Sequence, residues 1–230
     1  NVGEMQVVGE MPRFIYASSS SVYGQNEMPF SEDQIVNHPT NVYGATKIAG
    51  EHLAQVYHHL YGMSVIGLRF FTVYGDDGRP DMAVFGWTDD IANNRSITLF
   101  YREDGTAISR DFTHVDDIVQ GIVGVIRYSS LPLKPKMAEE KSEKSEKLLA
   151  EKNGGLLYRE NGPQVFNLGN NRPENVLSLV SILQAEMGVK TVHRNMVPLP
   201  DSDMVSTFAN IDRAKRLLNF EPRVSLKQGV

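Results

Sequence analysis

Two short stretches hold side chains whose types and spacing can move a proton. In Asn41-Val42-Tyr43-Gly44-Ala45-Thr46-Lys47 a phenol and an ammonium stand four residues apart. On a helix that spacing puts both on one face, one turn apart. An ammonium beside a phenol favours the anionic form, which suits general-base work near neutral pH. Upstream lies the serine row Ser18-Ser19-Ser20-Ser21, followed by Val22-Tyr23-Gly24. A serine hydroxyl within reach of the phenol can bridge it to a substrate hydroxyl and relay the proton. Together these groups fit removal of a proton from an alcohol whose hydride passes to a nicotinamide. Tyr-x-x-x-Lys also occurs on ordinary helices, where the pair is merely solvated. What favours chemistry here is its place, after a hydrophobic strand ending in serines and before a second strand.

The elements that must hold these residues read as an alternating α/β pattern. Phe14-Ile15-Tyr16-Ala17 predicts a buried strand, with the serines at its C-terminal end, where open parallel sheets bind ligands. Residues 41–61 predict a helix stopped by Gly62, with Ile48, Leu53, Val56, Tyr57 and Leu60 as its buried stripe. Residues 65–71 predict a second strand, and strand, helix, strand implies a parallel unit with a right-handed crossover. Further on, the pattern predicts a helix over 82–94, a short strand over 97–100 and a turn at 102–105. After Thr113 comes a helix with Ile118, Val119, Ile122, Val123 and Ile126 on its apolar face. Val165 to Leu168 predicts another strand, and Pro173 opens a helix whose Val176, Leu177, Val180, Leu183 and Met187 face inward. A strand over 192–196, a polar loop over 199–206 and a last helix capped by Asp212, carrying Ala214, Leu217 and Leu218, complete the reading. Residues 1–12 space Val2, Met5, Val8 and Met11 for one helix face, weakened by Gly3 and Gly9. Residues 132–163 differ in kind: Lys, Glu and Ser dominate, which predicts a solvated, largely disordered insert.

Composition excludes several classes. With 230 residues, 41% of them hydrophobic, the chain can bury the core of one domain or of two closely packed ones. A net charge of −5 argues against nucleic-acid binding, although a small anion needs only a few local arginines. The absence of cysteine excludes disulfides and thiolate chemistry. No apolar run reaches the length of a membrane span. His58-His59 and the acid pairs Asp89-Asp90 and Asp116-Asp117 read as helix-end or solvated charges, so no metal site is expected.

Further motifs accompany the serine row and the Tyr/Lys pair. They run through 67–75, Gly78-Arg79-Pro80-Asp81-Met82-Ala83, Arg110-Asp111-Phe112-Thr113, Phe166-Asn167-Leu168-Gly169-Asn170 and Ala209-Asn210-Ile211. The set resembles the extended short-chain dehydrogenases/reductases of the NAD-dependent epimerase/dehydratase family, and most of all their UDP-glucuronate 4-epimerase branch. The resemblance implies an α/β chain: the C-terminal half of a Rossmann-like parallel-sheet domain plus a smaller α/β substrate-binding domain. It assigns residues 1–75, with about 109–128 and 164–170, to partial NAD binding, and 76–108 with 171–230 to the UDP-sugar. It implies NAD as cofactor and a UDP-sugar as substrate, inverted at C4 through a transient 4-keto sugar, most readily UDP-glucuronate to UDP-galacturonate. By the family pattern Ser19, Tyr43 and Lys47 are catalytic, and Tyr43 and Lys47 also meet the cofactor. Ser20 and Ser21 face the sugar, Thr72 and Arg79 lie near its C6 carboxylate, Arg110 grips the pyrophosphate and Asp203 lies near the nucleotide ribose. Dehydratase relatives carry an acid pair where Ser20 and Ser21 stand, and decarboxylating relatives also carry an acid in this row, which disfavours both reactions. The family also admits a homodimer built on the helix bearing Tyr43.

Two departures bear on that reading. No Gly-x-Gly-x-x-Gly or Gly-x-x-Gly-x-x-Gly loop occurs anywhere in the chain, although in the family that loop holds the NAD pyrophosphate. Asp76 and Asp77 stand where relatives usually carry Pro-Trp. The alternatives are a UDP-glucose/galactose 4-epimerase and an inactive, truncated chain that binds sugar nucleotides. Both ends read as trimmed, and the compartment stays open between the cytoplasm and, with an upstream anchor, the Golgi membrane. For single residues the plain readings are a strand-end cap for Ser18, an Asp76 or Asp77 pair for Arg79, and an Asp111 pair for Arg110.

Overall fold

The computed structural model describes residues 13–129 and 163–230. The charged insert and the first twelve residues therefore lie outside the described residues. Strand β1 (Arg13–Ser19) leads into a single 3-10 turn (Ser20–Tyr23), and a long loop then reaches helix α1 (Val42–Tyr61). Strands β2 (Ser64–Phe70) and β3 (Thr72–Tyr74), helix α2 (Ala83–Ala92), and strands β4 (Ile97–Tyr101) and β5 (Ser109–His114) follow. Next come α3 (Val115–Ser129), β6 (Gln164–Leu168), β7 (Pro173–Asn175) and α4 (Val176–Glu186). Strand β8 (Arg194–Pro198) and two short helices, α5 (Asp212–Leu218) and α6 (Leu226–Gly229), end the chain.

The sheet that carries the serine row is parallel, in the order β1-β2-β6, with Ser18 opposite Arg69 and Ser19 opposite Phe70. Strands buried on both faces read as near-continuous apolar runs, and β2 and β6 fit: 65–69 and 164–168 are buried throughout. A second sheet sets β3 parallel to β5 and β5 antiparallel to β7, and a third pairs β4 with β8 in parallel. Two apolar cores result. One packs α1, α3 and α5 on the first sheet through Ile48, Leu68, Val125, Phe166, Leu168 and Ala214. The other gathers Ile97, Leu99, Phe112, Leu179, Val180 and Leu183 between α4 and the other two sheets.

Several local expectations need correction. The buried face of α1 is Gly44, Ile48, Glu51 and Ala54, while Leu53 and Leu60 are each 60% exposed and Val56 and Tyr57 about half exposed. The helix is rotated because Glu51 is drawn inward to Arg69, a charge pairing that an apolar-stripe count cannot see. Val119, Val123, Ile126, Leu177 and Leu217 likewise face outward. Pro173 starts a strand, not a helix; α4 begins at Val176, where the Asn175 carboxamide accepts from Leu177 N at 2.8 Å. Asp212 is the first residue of α5, and Asn210 Oδ1 accepts its N–H at 2.9 Å in the role expected of Asp212 itself. Asp117 lies in the first turn of α3, as one of the two readings had it, but is buried rather than solvated, accepting from Arg223 N and Val224 N at 3.0 Å each.

Candidate active site

The start of α1 is set by Asn41, whose extended backbone and Oδ1, accepting from Gly44 N at 2.8 Å, make it an N-cap. Its Nδ2 also donates to Ser202 O at 3.3 Å, which ties the 201–203 loop to the same helix end. Gly62, in the left-handed region at φ 68°, closes the helix with its N–H on His58 O. Within the first turn Gly44 lies against the serine row: a Cβ there would sit 2.6 Å from Ser21 O, far inside contact. Only glycine lets the Tyr43 turn approach the serine turn this closely.

Ser19 ends β1 and caps the 3-10 turn, its Oγ accepting from Ser21 N at 3.2 Å and donating to Ser21 Oγ at 3.3 Å. Ser19 and Ser20 are buried and Ser21 half-buried. In the first turn of α1, Tyr43 is 54% exposed, and Lys47 Nζ lies 5.5 Å from its ring centroid. Lys47 Nζ donates to Ala17 O at 3.1 Å, which uses one of the three N–H donors an ammonium carries. Ser18 does not cap local backbone as expected. Its hydroxyl donates to Glu51 Oε1 at 2.6 Å.

On β5, Arg110 Nη1 donates to Ser109 O at 2.9 Å and Val205 O at 3.1 Å, and Nη2 lies 3.4 Å from Asp203 Oδ1. The structure thus pairs Arg110 with Asp203, not with the adjacent Asp111. Burial pulls the Arg110 guanidinium below its ordinary value, against the opposing charge of Asp203. Asp111 instead gathers the N–H groups of Asn170, Asn171 and Ala209 on its carboxylate. Burial pushes that carboxyl up, and the three N–H donors oppose the shift. Thr72 sits half-buried on β3, opposite Phe112 on β5. Arg79 is surface-exposed and forks onto Asp81 at 2.8 and 2.7 Å rather than onto Asp76 or Asp77. That hydrogen bonding first, and the Asp81 charge second, raise the guanidinium above its ordinary value, with a smaller contribution from the Tyr43 phenol. The turn of Tyr43 therefore meets the serine row at the C-terminal end of β1 through Gly44, and Lys47 reaches Ala17 there; Arg110 and Asp203 are bound to one another, and the loop of Asp203 is tied to the start of α1 through Asn41 and Ser202. Among the described residues no hydrogen bond joins Thr72 to Arg79.

A groove of about 540 Å³ lies between α1 and the first two strands, lined by Thr46, Lys47 and Leu53 of α1 with Phe14, Tyr16 and Ala17 of β1 and Val65 of β2. Its lining is mostly apolar, with the Lys47 ammonium among it. Among the described residues no group of three metal-ligating side chains occurs, and no helix is long and apolar enough to cross a membrane. Sequence reasoning missed the structural parts played by Glu51, Arg69 and Asp111. Arg69 left one sign, an arginine inside the apolar run 65–71.

Comparison with known proteins follows the same outline. The family model described as "NAD dependent epimerase/dehydratase family" matches residues 4–136, more than half of the chain. The chain is 43% identical over 221 residues to UDP-glucuronate 4-epimerase 2 of Arabidopsis thaliana, covering 95% of this chain and 46% of that protein. It is 38% identical over 217 residues to Protein CapI of Staphylococcus aureus, covering 94% and 60% respectively. Among solved structures, UDP-glucuronic acid 4-epimerase from Bacillus cereus, in complex with UDP-glucuronic acid and NAD, superposes with a TM-score of 0.75 at 31% identity. That match covers 96% of this chain and 59% of the other. The chain thus spans about half to three-fifths of the length of these relatives.

Proposed function

Because the chain belongs to the NAD-dependent epimerase/dehydratase family, we propose that it carries the sugar side and the proton-handling machinery of a UDP-sugar 4-epimerase, with UDP-glucuronate as the preferred substrate. The observation that carries this reading is the approach of the Tyr43 turn to the serine turn across Gly44. It unites the two stretches that the chemistry requires.

In this reading Tyr43 takes the proton from the C4 hydroxyl, and Ser19, held by Ser21 at the strand end, bridges the two oxygens. The Lys47 ammonium, beside the Tyr43 ring, stabilises the negative charge that develops on the phenol oxygen. Its two remaining donors suit ribose hydroxyls of the cofactor. NAD, when bound, supplies the acceptor and donor of hydride at C4. The apolar groove beside Lys47 fits the nicotinamide half of that molecule, and the chain has no glycine-rich loop for the pyrophosphate half. Arg110, half-neutralised by Asp203 and desolvated, is the residue for the UDP diphosphate, since a bidentate guanidinium suits phosphate oxygens. Ser20 and Ser21 face the sugar. In this division residues 1–75, with about 109–128 and 164–170, belong to the cofactor and 76–108 with 171–230 to the UDP-sugar.

A second reading, a UDP-glucose/galactose 4-epimerase, draws support from Arg79. Its fork is already occupied by Asp81, which leaves it a weaker partner for a C6 carboxylate. Titration calorimetry of the chain with UDP-glucuronate, UDP-glucose and NAD in turn separates these readings. The first expects UDP-glucuronate to bind more tightly, with Arg79→Ala weakening it alone. Equal binding of the two sugars, unchanged in Arg79→Ala, favours the second. No binding of any of them overturns both.

A further inference from the structure

Beneath the serine turn lies a polar cluster that the proton chemistry does not use. Glu51 stands on α1 four residues after Lys47 and eight after Tyr43, so the three share one face of the helix. Its carboxylate is 3% exposed and is held from two neighbouring strands at once. Ser18 of β1 donates to Oε1 at 2.6 Å, and Arg69 of β2 forks onto Oε1 and Oε2 at 2.9 and 2.7 Å. Ser18 and Arg69 are register partners in the parallel sheet, so they project from the same face at the same height. The Arg69 guanidinium also lies 4.7 Å from the ring centroid of Tyr23, the last residue of the serine turn.

Three elements therefore meet at one carboxylate: the helix of Tyr43 and Lys47, the strand end next to Ser19, and β2, whose Arg69 reaches the serine turn through Tyr23. We infer that Ser18, Glu51 and Arg69 are positioning residues that set the distance and rotation of the Tyr43/Lys47 face against Ser19. An apolar trio of equal volume would fill the space, and such replacements of buried ion pairs are often neutral or stabilising. It would not fix rotation and translation together, as hydrogen bonds directed from two strands do. The inference rests on the catalytic reading of Ser19, Tyr43 and Lys47, and its test is built to be decided without it.

The test compares Ser18→Ala and the double variant Glu51→Met/Arg69→Met with the unaltered chain by residue-resolved amide hydrogen exchange and by UDP-sugar turnover. The expected result is exchange about tenfold faster at Ser21 N and Gly44 N, the amides of the serine turn and the helix cap, with the β2 and β6 amides unchanged. A kcat about tenfold to a hundredfold lower at unchanged KM should accompany it, the loss typical of a small misplacement. Faster exchange spread evenly over sheet and site, or unaltered exchange at Ser21 and Gly44, overturns the inference. So does full kcat in either variant. If the unaltered chain does not turn over UDP-sugar, the catalytic reading fails while the exchange pattern still decides the clamp.

Discussion

Tyr43 and Tyr74 show how one side-chain type takes opposite tasks. Tyr43 is half exposed beside an ammonium, whereas Tyr74 is 5% exposed and its hydroxyl donates to Ser225 O at 3.2 Å. Tyr43→Phe keeps the ring and removes the proposed proton acceptor, so, on the proposed function, UDP-sugar turnover should fall by roughly 10²–10⁴-fold while UDP-sugar affinity, read by calorimetry, stays within about twofold. Tyr74 is pushed up to about 12, chiefly by burial and further by the charges of Asp117 and Glu174. The unfolded chain releases this proton near its ordinary value of 10.0, and the folded chain keeps it to about 12. Stability is therefore whole below the unfolded value and drains as pH rises through that window. Urea midpoints should fall steeply between those two pH values in the unaltered chain and less in Tyr74→Phe, which should itself lose about 1 kcal/mol at neutral pH. Equal slopes would remove Tyr74 from the account. At this scale the sequence was legible where a residue acts through its neighbours in the chain. It gave Asp111 the wrong partner, the adjacent Arg110, because its three N–H partners come from about sixty and a hundred residues away.

Helix α1 is the element on which most of the site depends. Its two ends could be read from Asn41 and Gly62, because caps are local chemistry. Its rotation could not, because a spacing count rewards Leu53, Val56 and Leu60, while the side chain drawn inward is Glu51. The same limit applies to α4, where Pro173 looked like a helix opener but pairs with Asp111 in the sheet. Asn41→Ala should remove both the Gly44 cap bond and the tie to Ser202. Stability should drop by about 1 kcal/mol, a fall in Tm of roughly 2–4 °C by calorimetry. Gly44→Ala should do more than its intrinsic helix preference implies. The added methyl meets Ser21 O at 2.6 Å, so the Tyr43 turn must back away and turnover should fall further than Tm. A variant that gains stability and keeps turnover would show the approach at Gly44 to be looser than described.

At the scale of the molecule, the alternating strand and helix pattern predicted the parallel pairing of β1 with β2, and β6 joins the same sheet from a hundred residues further on. What the pattern did not foretell is how much apolar surface stays uncovered. Among the described residues, Val56 and Leu60 of α1 are exposed, Leu53 and Tyr57 are exposed along the groove toward β1, and no strand pairs with the outer edge of β1. Soluble surfaces seldom gather such patches without use. Leu53→Lys should leave Tm within about 2 °C, since the side chain is 60% exposed, and should lower the binding of a hydrophobic dye. A large loss of Tm would mean that the side chain is buried in solution. An outward face of this kind also changes what a melting temperature means. Any chain that covers it, another copy included, binds the folded form alone and adds RT ln(1 + [L]/Kd) to its stability. The Tm is then set partly by concentration: dilution alone should lower it wherever such a cover forms, and a dilution series becomes a reading of the company the protein keeps.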